Sequence, residues 1–210
     1  MLVGMAALFL AASPVYAATH VLVFGDSLSA AHGIARDDGW VALLRQRLAA
    51  NDSGVTVTNA SVSGETTAGG RARLPAALNK HDPDIVILEL GGNDGLRALP
   101  IADMKANLAA MIEASRDAGA EVFLLGMRIP SNYGKGYTER FHLVYGQLAE
   151  RYDVVAMDFF LAPVALKSRY FQSDGIHPNA EAQPLLLEHI WPELSSLVDT
   201  TNANRSPAAS

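Results

Sequence analysis

The 210-residue sequence predicts a single α/β domain, a parallel β-sheet with helices on both faces. Short, near-continuous runs of Val, Ile, Leu and Phe recur at 20–24, 55–60, 84–90, 121–126 and 153–158. Runs of that kind suit strands buried on both faces. Between them lie longer segments whose apolar residues recur at helical spacing. The composition, half hydrophobic and 18% charged, belongs to a globular chain rather than a disordered one.

Taken in order, the chain opens on an apolar run from Leu2 to Ala12, the length of a secretory h-region. Pro14 breaks it, and Val15-Tyr16-Ala17 offers small residues to a signal peptidase. Residues 1–17 are therefore expected to be a signal peptide cleaved after Ala17, giving a periplasmic or secreted protein. No Lys or Arg precedes Arg36, so the positive n-region is missing, and a short membrane anchor is the alternative. No later stretch is long and apolar enough to span a bilayer, so no stable membrane insertion is expected after cleavage. Without Cys there is no disulfide, thiol nucleophile or Cys-linked lipid. A formal charge of −6 argues against a nucleic-acid partner, which needs a basic surface. A monomer is expected.

The first strand run stops at Gly25-Asp26-Ser27-Leu28-Ser29. Such a turn can expose a nucleophile, cradle a phosphate or simply reverse the chain. Val41, Leu44 and Leu48 then share a helix face. Ser63-Gly64 follows the second run, and Leu74 and Leu78 mark a helix before the third. Gly91-Gly92-Asn93-Asp94 follows the third run, and Met104, Leu108, Met111, Ile112 and Ser115 form the next stripe. Phe141, Val144, Tyr145, Leu148 and Tyr152 form another before the fifth run. A longer connection leads to Asp174-Gly175-Ile176-His177-Pro178. A last helix is expected from near Ala180, with Pro184 in its first turn and Pro192 threatening a kink. The domain is expected to span 18–198, and the small, polar segment 199–210 to be a flexible tail.

Ligands of open parallel sheets bind beyond the carboxyl ends of the strands. Ser27, Ser63-Gly64, Gly91–Asp94 and the Asp174–His177 segment all fall at that edge, so distant residues can meet in one cleft. Their chemistry is complementary. Serine is a weak nucleophile until a base takes its proton. His177 can be that base, and Asp174 can fix its tautomer. The backbone N–H of Ser27, that of Gly64 and the Asn93 amide can serve as oxyanion donors. Asp26 and Asp94 are expected to hold loops. His20, His32, His81, His142 and His189 lack comparable context and are expected to be surface or packing residues. No pair of them has ligand spacing with a carboxylate, so neither a metal site nor a cofactor is expected.

These blocks, in this order, resemble those of the GDSL (SGNH) esterases and lipases: Gly25-Asp26-Ser27-Leu28-Ser29, Gly64, Gly91-x-Asn93-Asp94 and Asp174-x-x-His177. Within that family, Asn59 to Thr66, Leu88 to Arg97 and Ile129 to Gly134 resemble the small periplasmic thioesterase I/lysophospholipase/arylesterase group. The resemblance implies a three-layer flavodoxin-like fold with a five-stranded sheet, a Ser27–His177–Asp174 triad and no metal. It also implies that the loop after the fourth strand borders an acyl chain. Leu28, Gly95, Ile129, Pro130 and Tyr133 are expected to contact substrate, with Gly95 also a hinge in a segment closing over it. The function expected is hydrolysis of small-molecule esters and thioesters through an acyl-enzyme. A carbohydrate O-acetylesterase of the same family is the enzymatic alternative. A flavin-binding module and a catalytically dead binding protein are the alternatives from other classes.

Overall fold

The computed structural model describes residues 18–51 and 54–205. The expected signal peptide lies outside the described residues. Five strands, β1 (His20–Gly25), β2 (Thr56–Asn59), β3 (Ile85–Glu89), β4 (Glu121–Leu125) and β5 (Val155–Met157), form one parallel sheet in the order β2-β1-β3-β4-β5. The strands in the middle are the most apolar, because both their faces are covered. Val21 to Phe24 on β1 and Ile85 to Leu88 on β3 are wholly buried. Val23 sits opposite Ile87, and Ile87 opposite Phe123, so the apolar layer runs on from strand to strand. Each such side chain contributes about 1.5–3 kcal/mol on burial. β2 is an edge strand, and its Thr56, Thr58 and Asn59 are polar where the strand is only partly covered.

The helices are α1 (Trp40–Ala50), α2 (Thr67–His81), α3 (Gly92–Leu96), α4 (Ile101–Asp117), α5 (Lys135–Tyr152) and α6 (Gln183–Arg205). α1 packs on α6 across one face of the sheet, and α4 packs between α2 and α5 across the other. The stripes read from the sequence are the buried faces: Val41, Leu44 and Leu48 on α1, Met104 to Ser115 on α4, and Phe141 to Leu148 on α5. Thr66 caps α2 by accepting from Gly69 N–H. α2 and α5 both stop at an Asp in the left-handed region, Asp82 (φ 43°) and Asp153 (φ 49°).

α6 differs from expectation at its end. Pro192 lies inside the helix without terminating it. The helix continues through Arg205, into the segment expected to be a flexible tail. The reason is that the buried stripe does not stop with the apolar residues. Leu194, Leu197 and Val198 are followed by Thr201, buried with its hydroxyl satisfied by the Leu197 carbonyl (2.8 Å). Thr19 then donates to Asn202, and Arg205 pairs with Asp84. Polar residues thus dock the helix end onto the starts of β1 and β3.

Candidate active site

Strand order reverses between β1 and β3, and the segments that leave their carboxyl ends form the floor of the site. β1 ends at Gly25. A Cβ there would lie 2.6 Å from Glu89 Oε2 and 2.9 Å from the Glu89 carbonyl, so a larger residue would push the strands apart. The chain then makes one wound turn, with Ala30 N–H donating to the Asp26 carbonyl (3.0 Å) and His32 N–H to the Ser27 carbonyl (3.3 Å). That turn holds Ser27 half-buried.

His177 comes from a loop folded back on itself. Phe171 and Pro178 form an antiparallel bridge, Gln172 N–H donates to the His177 carbonyl (2.8 Å), and Gly175 turns the tip at φ 70°. Asp174 Oδ1 accepts from Ile176 N–H (2.8 Å) and His177 N–H (3.0 Å). Asp174 Oδ2 lies 2.7 Å from His177 Nδ1, and His177 Nε2 lies 2.9 Å from Ser27 Oγ. The backbone N–H of His177, its ring and the N–H of Ile176 hold the Asp174 carboxyl well below the usual carboxylate range. An ionised Asp174 therefore faces Nδ1, which leaves Nε2 free to accept a proton from Ser27.

Asn93 stands on α3, which Gly91 enters at φ 113°. One of its amide N–H groups donates to Asp26 Oδ2 (2.9 Å), and the other is left for the cavity that Asn93 lines. Gly64 sits in a turn tied to the end of β1, with Val62 N–H donating to the Gly25 carbonyl (3.0 Å). Its φ is 78°, and its carbonyl accepts from Arg97 (3.0 Å). Ser27, Asn93 and Gly64 thus share one edge of the sheet.

Beneath them is a buried acidic pair. Asp26 accepts from Leu28 N–H (3.0 Å) as well as from Asn93, and Asp94 accepts from the Thr67 N–H and hydroxyl (2.9 and 2.6 Å). Both therefore hold loops, and Asp26 also aims the Asn93 amide. Burial pushes the Asp26 carboxyl up to about 6, although Leu28 N–H, Asn93 and His177 pull it down. Glu89 is fully buried; its Oε2 accepts from Ser29 Oγ (2.7 Å) and Asp26 N–H (3.3 Å), while Oε1 has no hydrogen-bond partner among the described residues. Burial first, then the charge of Asp26, drives Glu89 well above the usual range, towards a neutral acid. The sequence reading did not single out Glu89. Its signal was an acid inside the otherwise apolar run at 84–90.

A cavity of about 510 Å³ opens beside Ser27 and His177, a size ordinary for a small-molecule site. Of the residues expected to contact substrate, Leu28, Ile129 and Pro130 line it. Gly95 and Tyr133 do not. Gly95 is buried within α3, where a Cβ would lie 2.5 Å from Ile129 Cγ2 and 2.6 Å from Phe141 Cε2. It is a packing contact held in a helix rather than a hinge. Tyr133 stands behind the wall, its hydroxyl donating to the carbonyl of Leu96 (2.7 Å), and Leu96 is the lining residue. The far wall was missed: Phe159, Leu161, Leu166, Phe171 and Ile176 come from the connection after β5. Its signal was an apolar stretch, Phe159 to Leu166, in a segment with no helical period. Among the described residues, no group of three or more His, Asp or Glu is placed to hold a metal ion.

The model of the GDSL-like lipase/acylhydrolase family matches residues 23–184, which include all of these groups. The chain belongs to this family. The esterase TesA of Pseudomonas aeruginosa is 50% identical over 182 residues, covering 87% of this chain and 90% of that protein. Thioesterase 1/protease 1/lysophospholipase L1 of Escherichia coli K12 is 42% identical over 183 residues, covering 87% and 86%. The psychrotrophic esterase EstA from Pseudoalteromonas, solved inhibited by monoethylphosphonate, superposes with a TM-score of 0.83 at 39% identity, covering 86% of this chain and 99% of that one. The protein is thus a GDSL-type ester hydrolase, and the flavin-binding and non-catalytic alternatives fall away.

In this GDSL hydrolase one further side chain touches the reactive groups. His32, read as a surface or packing residue, is exposed on one side, but its ring lies against His177 with centroids 4.4 Å apart. Nothing in its sequence context marks it, since the contact is made between segments far apart in the chain. Other histidines tie segments together away from the site: His20 bonds the His81 carbonyl and Thr58, and His189 the Phe159 carbonyl.

Proposed function

We propose that the protein cleaves carboxylic esters and thioesters of medium or long acyl chains by a Ser27–His177–Asp174 triad. The observation that carries this reading is the unbroken contact from Asp174 Oδ2 through the imidazole to Ser27 Oγ, 2.7 and 2.9 Å. His177 takes the Ser27 proton as Oγ attacks the acyl carbon. The imidazolium then protonates the leaving alcohol or thiol, leaving an acyl-enzyme. Water, deprotonated by His177, releases the acid and restores Ser27. The oxyanion formed in both steps is held by the Asn93 amide together with the Ser27 and Gly64 N–H groups. One such donor contributes roughly 10²–10³ in kcat.

Chain length is the finer part of the reading. Ile129, Pro130, Phe159 and Leu161 present hydrocarbon to the cavity, and each buried CH₂ contributes about 0.8 kcal/mol. Several methylenes outweigh a head-group preference, which favours a fatty acyl donor over an acetylated sugar. The apolar run from Leu2 to Ala12, ahead of Val15-Tyr16-Ala17, supports a periplasmic or secreted site of action.

The test has two arms. A fluorophosphonate probe should label Ser27, as the phosphonate inhibition of the similar EstA suggests, and Ser27→Ala should be inactive. Label mapped to another serine, or an active Ser27→Ala, overturns the triad. A panel of p-nitrophenyl esters, acyl-CoAs, lysophospholipids and acetylated sugars then reads the substrate class. Turnover of the acetylated sugar above all long-chain donors overturns the fatty-acyl reading.

A further inference from the structure

His32 belongs to none of the family's blocks, yet the fold holds it against His177. The ring centroids are 4.4 Å apart and the planes are tilted by 46°. Gln172 builds the contact. Its backbone N–H donates to the His177 carbonyl (2.8 Å), and its side-chain amide donates to the His32 carbonyl (2.7 Å) and the Pro178 carbonyl (3.2 Å). The segment around His32 conforms to this clamp. Gly33 has φ 73°, and a Cβ on it would lie 2.1 Å from Gln172 Oε1. Ala31 has φ 56°, a left-handed conformation that costs a residue with a Cβ roughly 1–2 kcal/mol.

We propose that His32 is a positioning residue for the general base: its ring closes one face of the His177 imidazole and keeps Nε2 on Ser27. The inference rests on the reading of His177 as the base. A neutral aromatic ring beside an imidazolium is attractive, so His32 favours the state His177 reaches in each transition state. The charged groups around the pair are Asp174, on the Nδ1 side of His177, and Asp26, behind Ser27 and felt by His177. Arg36, Asp37 and Asp38 follow on the segment that carries His32.

The experiment compares wild type, His32→Phe and His32→Ala. For each, kcat and KM are measured separately. His32→Phe keeps an aromatic ring at the same place. His32→Ala should lower kcat by about 3–10-fold with little change in KM, and His32→Phe should recover most of that loss. Wild-type kcat in His32→Ala, or equal losses in both variants, overturns the positioning role. An active Ser27→Ala would sink the triad itself, whereas these outcomes overturn only the role of His32.

Discussion

Asp26 shows how one residue can serve the site while costing stability. Both of its oxygens accept, one from Leu28 N–H and one from the Asn93 amide. Asp26→Asn can supply only one acceptor, so a donor would face a donor and the Asn93 amide would turn away. We expect kcat to fall by at least ~10-fold in this variant, a fraction of the loss for a missing oxyanion donor. Stability should respond differently. The folded carboxyl is raised to about 6, above its unfolded value of 3.8, chiefly by burial. The folded state therefore holds the proton more tightly, a contribution present below the unfolded value and lost as pH rises through about 6. Urea unfolding at about pH 7 and about pH 4 checks the sign: relative to wild type, Asp26→Asn should be more favoured at the higher pH. A difference independent of pH would show that Asp26 does not titrate on unfolding.

One wall of the cavity is built by α3 and the loop after β4. They meet where Gly95 approaches Ile129 and Phe141. Gly95→Ala would gain about 0.5–1 kcal/mol of helix propensity. It would also force a methyl into a gap of 2.5–2.6 Å, an overpacking that costs typically about 1–3 kcal/mol. The clash should win, and the displaced α3 should carry Asn93 with it. The expected outcome is lower stability together with lower kcat; a variant as stable and active as wild type would refute close packing as the role of Gly95. Ile129→Ala removes hydrocarbon from the wall. Long-chain p-nitrophenyl esters should lose kcat/KM progressively with length, by up to about 0.8 kcal/mol for each CH₂ that loses contact, while short esters change little. Parallel length profiles would mean that this wall does not read the chain.

For the whole molecule, the end of α6 matters more than its composition suggests. Removing 199–210 would delete the Thr19–Asn202 bond, the buried Thr201 and the Arg205–Asp84 pair. That ion pair is partly solvated and worth little, so the hydrogen bond and Thr201 dominate, on the order of 1–2 kcal/mol. Thermal unfolding of the truncated protein should show a lowered Tm with kcat retained. An unchanged Tm would return the segment to the status of a free tail. Asp174 adds a pH term opposite in sign to that of Asp26. Its depressed carboxyl stabilises the fold above the unfolded aspartate value and loses that contribution as pH falls further.

The parallel sheet, its helices and the edge where chemistry gathers were legible in the sequence. Runs such as Ile85 to Leu88 are apolar on both faces because both faces are covered, and a strand's carboxyl end is where its loop begins. Ser27, Asn93, Asp174 and His177 were legible too, since their types and order form blocks. The sequence could not reveal His32 on His177, Glu89 under Asp26, Gly95 against Ile129, or Thr201 inside the core. Each of these depends on which distant segment arrives opposite, and on the space left when it does. Periodicity and motif order record what a residue does along its own element. Only tertiary packing decides what stands across from it.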